Sequence, residues 1–198
     1  MPNCTLVKLS LGIYKMKKVC IVVGHSFKDG GAYNETFGIN EYSYNHPLAS
    51  LLAAELHKRD ILPVIMYRDT YSRMIGDVND SSADYAIELH CNSVANKDVQ
   101  GSETLHWHKS AKSQALALRL QKAVAELIGQ RNRGLKPISN TGTDTRGWRF
   151  LMKTKMPAVI LEPFFLSNDE SLQKGLELRE KLAVALAEAF AEHIKESN

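Results

Sequence analysis

Three apolar, β-branched runs each end in a residue that can bind a metal or move a proton. Cys-Ile-Val-Val-Gly leads to His25, Asp-Tyr-Ala-Ile-Glu-Leu leads to His90, and Pro-Ala-Val-Ile-Leu leads to Glu162. Glu41 closes the glycine-bearing segment that follows His25. Two neutral imidazoles and one carboxylate are the ligand set of a catalytic zinc site whose fourth position is left for water. Zinc brings the pKa of such a water near 7, which makes a nucleophile available at ordinary pH. A second carboxylate is then needed to take the proton and return it. Glu41 and Glu162 are the candidates for the two carboxylate tasks, with Glu35, Glu88 and Glu103 as competitors. Glu88 stands two residues before His90 on one strand, so it faces the same side. It is either a buried, paired carboxylate or a neighbour that supports the site.

Each residue also has an ordinary alternative. His25 alone fits a turn histidine capping a backbone group, and His90 alone fits a satisfied core histidine. Asn92 and Ser93 argue that the chain is leaving the core at His90. A carboxylate ending a buried strand, as Glu162 does, is costly without a partner or a task. His106 and His108 share a strand face, but no motif supplies a carboxylate for them. They read as exposed residues of an edge strand, lining a groove with Trp107 on the other face. His46, His57 and His193 fall on helix surfaces or ends and carry no argued role.

The elements that must position these residues alternate along the chain. Short apolar strands are expected at 19–23, 63–67, 84–90, 102–108 and 157–162. Helical spacing of leucines predicts helices over 46–59, with Pro47 in the first turn, and over 110–128, stopped by Gly129. A short helix is expected within 71–78. Ser167-Asn168-Asp169-Glu170 fits a capping box, with Ser167 as the cap of a long helix running to about Ile194. The segment 130–147 reads as a polar, basic loop. Repeated strand–helix units imply an α/β fold: a single domain with a mainly parallel, twisted mixed sheet flanked by helices. In such sheets the site lies at the carboxyl ends of the strands, where His25, His90 and Glu162 stand.

The totals set limits. A chain of 198 residues fits one domain. Hydrophobic residues at 44% and charged residues at 24% exclude disorder on composition. No apolar run is long enough to span a membrane. The net charge of +3 suits an anionic polymer and is too weak to argue for nucleic acid. Cys4, Cys20 and Cys91 match no zinc or redox spacing and read as reduced thiols, two of them buried on strands. Lysines interrupt the first twenty residues, so they are not read as a secretory leader. Residues 1–15 are read as an appendage outside a domain of residues 16–198.

Six segments, in order, carry a likeness that none carries alone: "VVGHSFKDGGAY", "GINEYSYN", "ADYAIELHCNS", "GSETLHWH", "NRGLK" and "MPAVILEPFFLSN". In these the chain resembles the zinc-dependent N-acetylmuramoyl-L-alanine amidases of the amidase 3 type, found in bacterial autolysins and phage endolysins. The resemblance implies one zinc ion held by His25, Glu41 and His90, with Glu162 as the catalytic carboxylate. It implies hydrolysis of the amide between N-acetylmuramic acid and the L-alanine of the stem peptide. Peptidoglycan is then the partner, with no nucleic acid and no membrane insertion. Arg133 and Lys136, in a region that also holds Arg131, Arg146 and Arg149, are expected to contact stem-peptide carboxylates, with Asn92 and Glu103 beside them. Val22-Val23 stands where the family usually has Asp-Pro, and Ser26 replaces a second glycine after the histidine. Met152 or Lys153 falls near a position where the family often has Arg. The alternatives are another zinc-dependent cell-wall peptidase or deacetylase, and a non-catalytic cell-wall-binding module. Such a protein is expected to be made in the cytoplasm and to reach the wall after release or lysis.

Overall fold

The first strand, β1 (Lys18–Val23), sorts its side chains by parity. Val19, Ile21 and Val23 enter one hydrophobic cluster, while Cys20 and Val22 enter another on the opposite face. Period-two alternation with both faces apolar is what a central strand of a two-faced sheet requires. The structure is a computed structural model that describes residues 16–197, so the expected 1–15 appendage and Cys4 lie outside the described residues.

A two-residue hairpin, β2 (Tyr33–Asn34) and β3 (Ile39–Asn40), follows β1 and leads into α1 (Glu41–His57). Then come β4 (Leu62–Tyr67), α2 (Tyr71–Asp80), β5 (Tyr85–Leu89), β6 (Ser102–Trp107) and α3 (Ala111–Ile128). The chain ends with β7 (Asn132–Ile138), α4 (Trp148–Lys153), β8 (Ala158–Glu162) and α5 (Asp169–Glu196). The main sheet has the order β4-β1-β5-β8-β6-β7. All neighbouring pairs are parallel except β6 with β8. Helices α1, α3 and α5 cover the face of Val19, Ile21 and Val23; α2 and α4 cover the other. The expected α/β domain with a mainly parallel mixed sheet is the observed one. Among the described residues, no helix is long and apolar enough to cross a membrane.

Several local expectations are corrected. The strand at 102–108 is not an edge: β6 is bonded on both sides, to β8 and to β7. The edge is β7, formed from the segment expected as a basic loop. Its charges and Pro137 signal an edge strand rather than the absence of one, because an edge needs only one row of backbone partners. His106 is accordingly buried, 3.1 Å from the Trp107 carbonyl through Nδ1, and burial lowers its pKa; only His108 is exposed. His193 is also buried rather than on the surface, edge-on to Tyr85. Helix α1 starts at Glu41, not near His46, so Pro47 lies inside it. The Asn40–Ser43 capping box nucleates the helix early enough to carry a proline that removes one backbone bond. The cap of α5 is Asn168, whose Oδ1 accepts from the Ser171 amide at 2.8 Å, so the box expected on Ser167 does not form. Helix α4 was not expected at all.

Candidate metal centre

Backbone position comes first. β1, β5 and β8 are adjacent and parallel, so their carboxyl ends meet at one rim of the sheet. His25 lies just past β1, His90 just past β5, and Glu162 ends β8. Glu88 and His90 share a strand parity, as do Ile160 and Glu162, and that parity is the face covered by α2 and α4. Glu41 reaches the same point from the first turn of α1. A carboxylate at a helix start is favoured by the unpaired amides there.

Side chains then converge. One ligand atom each of His25, Glu41 and His90 lies within 4.8 Å of the others. Glu41 Oε1 is 3.5 Å from His25 Nε2, and Glu41 Oε2 is 3.1 Å from His90 Nδ1. The same two oxygens accept from the backbone amides of Ala32 and Cys91, at 3.0 and 3.1 Å, which fixes the carboxylate. The imidazoles meet edge to face with centroids 5.1 Å apart. His25 takes φ of +63°, a left-handed conformation uncommon for a residue with a side chain. Gly24 and Gly31 make room for the rings. A Cβ at Gly24 would meet the His90 ring at 2.7 Å, and one at Gly31 would meet the His25 ring at 2.6 Å.

Around His25, Asp29 Oδ2 lies 3.3 Å from Nδ1 and Arg68 Nη2 lies 3.0 Å from the same atom, with 3.1 Å between the two. Asp29 and Arg68 both reach Nδ1 and hold the ring from that side, so Nε2 is the nitrogen presented to Glu41. Around His90, Glu88 is fully buried. Its Oε1 is 3.3 Å from His90 Nε2, yet neither of its oxygens has an aligned hydrogen-bond partner. Glu162 is buried too, and its Oε2 has no partner. It faces Glu103 directly across the antiparallel β8–β6 pair. Glu103 is neutralised from its other side by Arg133 Nε at 2.8 Å, Arg146 Nη1 at 2.9 Å and the Asn92 amide at 2.7 Å.

The electrostatics follow from burial and these neighbours. Burial opposes a charge on His90, but Glu41 and Glu88 outweigh it and raise its pKa well above the usual value. Burial would lift Glu41, but His90 and then His25 hold it below the carboxylate range. Burial pushes Glu162 up to about 8; His90 and Arg146 oppose this, and Glu41 and Glu103 add to it. Glu103 stays low despite burial because of Arg133 and Arg146. Three buried carboxylates, Glu41, Glu88 and Glu162, thus surround two imidazoles. Two nitrogens, one carboxylate and uncompensated buried oxygens fit a divalent cation of the zinc type. A cation there would match the excess negative charge and draw the Glu162 value down.

An open cavity of about 380 Å³ lies over this group, lined among others by His25, Glu41, His90, Glu162, Asn92 and Arg146. Arg133 and Lys136 are not on its wall; their charges are spent on Glu103, Lys136 at 3.8 Å. Glu35 is exposed in the hairpin and outside the metal group. Residues missed from sequence are Arg68, Asp29 and Tyr71, and Arg146 was ranked behind Arg133 and Lys136 although it alone of the three lines the cavity. Arg68 was findable, since it follows the end of β4 as His25 follows β1. Arg146 comes from an irregular segment that gives no register to read.

With this geometry in place, comparison with known proteins decides the family. Residues 19–196 match the model of the family described as N-acetylmuramoyl-L-alanine amidase, Amidase_3. The chain belongs to that family. This amidase domain is 31% identical to the catalytic domain of the CD27L endolysin targeting Clostridia difficile, with a TM-score of 0.75 over 87% of this chain and 96% of that one. It is 27% identical to an N-acetylmuramoyl-L-alanine amidase from Clostridium difficile 630, with a TM-score of 0.77 over 91% and 96%. It is also 29% identical over 171 residues to the N-acetylmuramoyl-L-alanine amidase LytC of Bacillus subtilis, covering 82% of this chain. The chain spans 32% of LytC and 50% of the probable cell wall amidase LytH of Staphylococcus saprophyticus, to which it is 28% identical.

Proposed function

We propose that this amidase domain hydrolyses the amide between the lactyl group of N-acetylmuramic acid and the L-alanine of the stem peptide in peptidoglycan. The observation that carries the reading is the convergence of His25, Glu41 and His90 within 4.8 Å, beside a buried Glu162 with a free oxygen. His25, Glu41 and His90 would hold one zinc ion, which supplies Lewis-acid polarisation and water activation when bound. Glu162, whose side chain lines the cavity and whose Oε2 has no hydrogen-bond partner, takes the proton of the attacking water and delivers it to the leaving nitrogen of L-alanine. Burial raises its affinity for a proton and a bound cation would lower it again, so the carboxylate can take a proton and give it up. Asn92 and Arg146, on the wall and bonded to Glu103, would meet the stem peptide. Arg133 and Lys136 act one layer further out, by keeping Glu103 charged and in place.

Glu162→Gln keeps the shape and removes the proton acceptor. Turnover of purified peptidoglycan should fall by roughly 10²-fold or more. Zinc content, read by atomic absorption, should stay at one per chain. Near-normal turnover by Glu162→Gln would remove Glu162 from the reaction. New reducing sugar ends or peptide-bond products, in place of free L-alanine amino groups, would favour a different cell-wall hydrolase.

A further inference from the structure

Four rings form an unbroken series of contacts along one border of the centre. Phe27 meets Tyr42 edge-on with centroids 6.4 Å apart, Tyr42 meets His46 at 5.4 Å, and His46 stacks on Tyr67 at 5.4 Å and 30°. They come from three places: the segment after β1, the start of α1, and the last residue of β4. Phe27 is 87% exposed and Tyr67 50%. One exposed ring is ordinary on a protein surface. Four rings in serial contact form one continuous aromatic face, with each inner ring packed against two others.

The position of the stripe says what docks. Phe27, Tyr42 and Tyr67 stand one or two residues from His25, Glu41 and Arg68, which line the cavity; the rings themselves lie outside its wall, on the α1 side of the same rim. In the sheet order β4-β1-β5-β8-β6-β7, the rings belong to the β4–β1 side. Arg146, on the cavity wall, is bonded to Glu103 on the β6–β7 side, and His90 and Glu162 lie between. The substrate of the proposed reaction has the same polarity. On one side of the scissile amide are sugars, which carry no fixed charge once the lactyl group is amidated. On the other is a peptide bearing carboxylates. Pyranose C–H faces pack on aromatic faces, whose quadrupole is negative, while sugar hydroxyls take hydrogen bonds from tyrosine and imidazole edges. We infer that Phe27, Tyr42, His46 and Tyr67 form a saccharide platform that seats the glycan strand on the sugar side of the scissile amide, an inference that rests on the amidase reading.

The test uses the full chain with Phe27→Ala and Tyr67→Ala. Both side chains are exposed, so the fold is not at stake. Two substrates are compared: un-cross-linked glycan strands bearing stem peptides, and an N-acetylmuramoyl peptide with a single sugar, too short to cross the stripe. The ratio of kcat/KM for polymer over monomer should drop at least about tenfold in each alanine variant, through KM, as for losing one stacking partner. Phe27→Trp and Tyr67→Phe should restore it. Binding of peptide-free glycan strands to the chain, measured by titration calorimetry, should weaken in parallel and needs no turnover. An unchanged ratio, equal loss on both substrates, or unaltered glycan binding would overturn the platform. Wild-type chain that binds glycan strands through these rings yet cleaves neither substrate would sink the amidase reading instead.

Discussion

At the scale of single residues, charge placement decides the chemistry. Glu103 and Glu162 face each other across two strands, yet their pKa values move in opposite directions. The difference is the company each keeps. Arg133 and Arg146 close on Glu103, whereas Glu162 has only more distant positive charge, and burial wins. Glu103 is therefore a group whose folded pKa lies below its unfolded one. Such a group stabilises the fold above the ordinary carboxylate pKa and ceases to do so as pH falls through its folded value. Glu103→Gln should lower stability at pH 7 by on the order of 2 kcal/mol, less than for a wholly buried pair because both arginines are partly in water. The deficit relative to wild type should shrink as pH drops below about 4. Urea unfolding at pH 7 and pH 3.5 measures both. A deficit that does not shrink in acid would mean that shape, not charge, makes Glu103 necessary.

At the scale of elements, the site depends on how closely β1 and β5 run past each other. The Gly24 amide donates to the Leu89 carbonyl at 2.9 Å, and the His90 ring lies against Gly24. Gly24→Ala places a methyl group against that carbonyl and the ring, so β1 and β5 must part or His90 must turn. Zinc affinity, measured by competition with a chelating dye, should weaken by about 10–100-fold, as for other losses of support to a metal ligand. Unchanged affinity would show that His90 is held from elsewhere. The strand ends were legible in the sequence because apolar runs ending in His25, His90 and Glu162 obey a simple rule of parallel sheets. Glu41 was legible only as one carboxylate among several; the Asn40–Ser43 box that aims it depends on geometry. β7 was hidden because an edge strand tolerates Gly, Pro and charge. His106 followed it into error, since a buried histidine and an exposed one have the same spacing.

At the scale of the whole molecule, the two sheet faces carry separate apolar clusters that leave the rim of β1, β5 and β8 polar. That rim gathers buried carboxylates whose charge a bound cation would balance. Zinc should therefore stabilise the fold as well as equip it for reaction. At a hundredfold excess over its dissociation constant a ligand adds about 2.7 kcal/mol. For a domain of this size that corresponds to a rise in Tm of roughly 5–10 °C. Thermal unfolding of chelator-treated protein, with zinc restored in one arm, reads the shift. Identical Tm values in the two arms would mean that no metal binds the folded chain under those conditions.

The most direct test is chemical. Purified peptidoglycan is digested with the zinc-loaded chain, with and without a chelator, and the products are identified by mass spectrometry. Stem peptides with free N-terminal L-alanine and glycan strands with intact sugar linkages should appear only without the chelator, and should return when zinc is restored. The same products at the same rate from chelated, metal-free protein, or cleavage at any other bond, would contradict a zinc amidase built on His25, Glu41, His90 and Glu162.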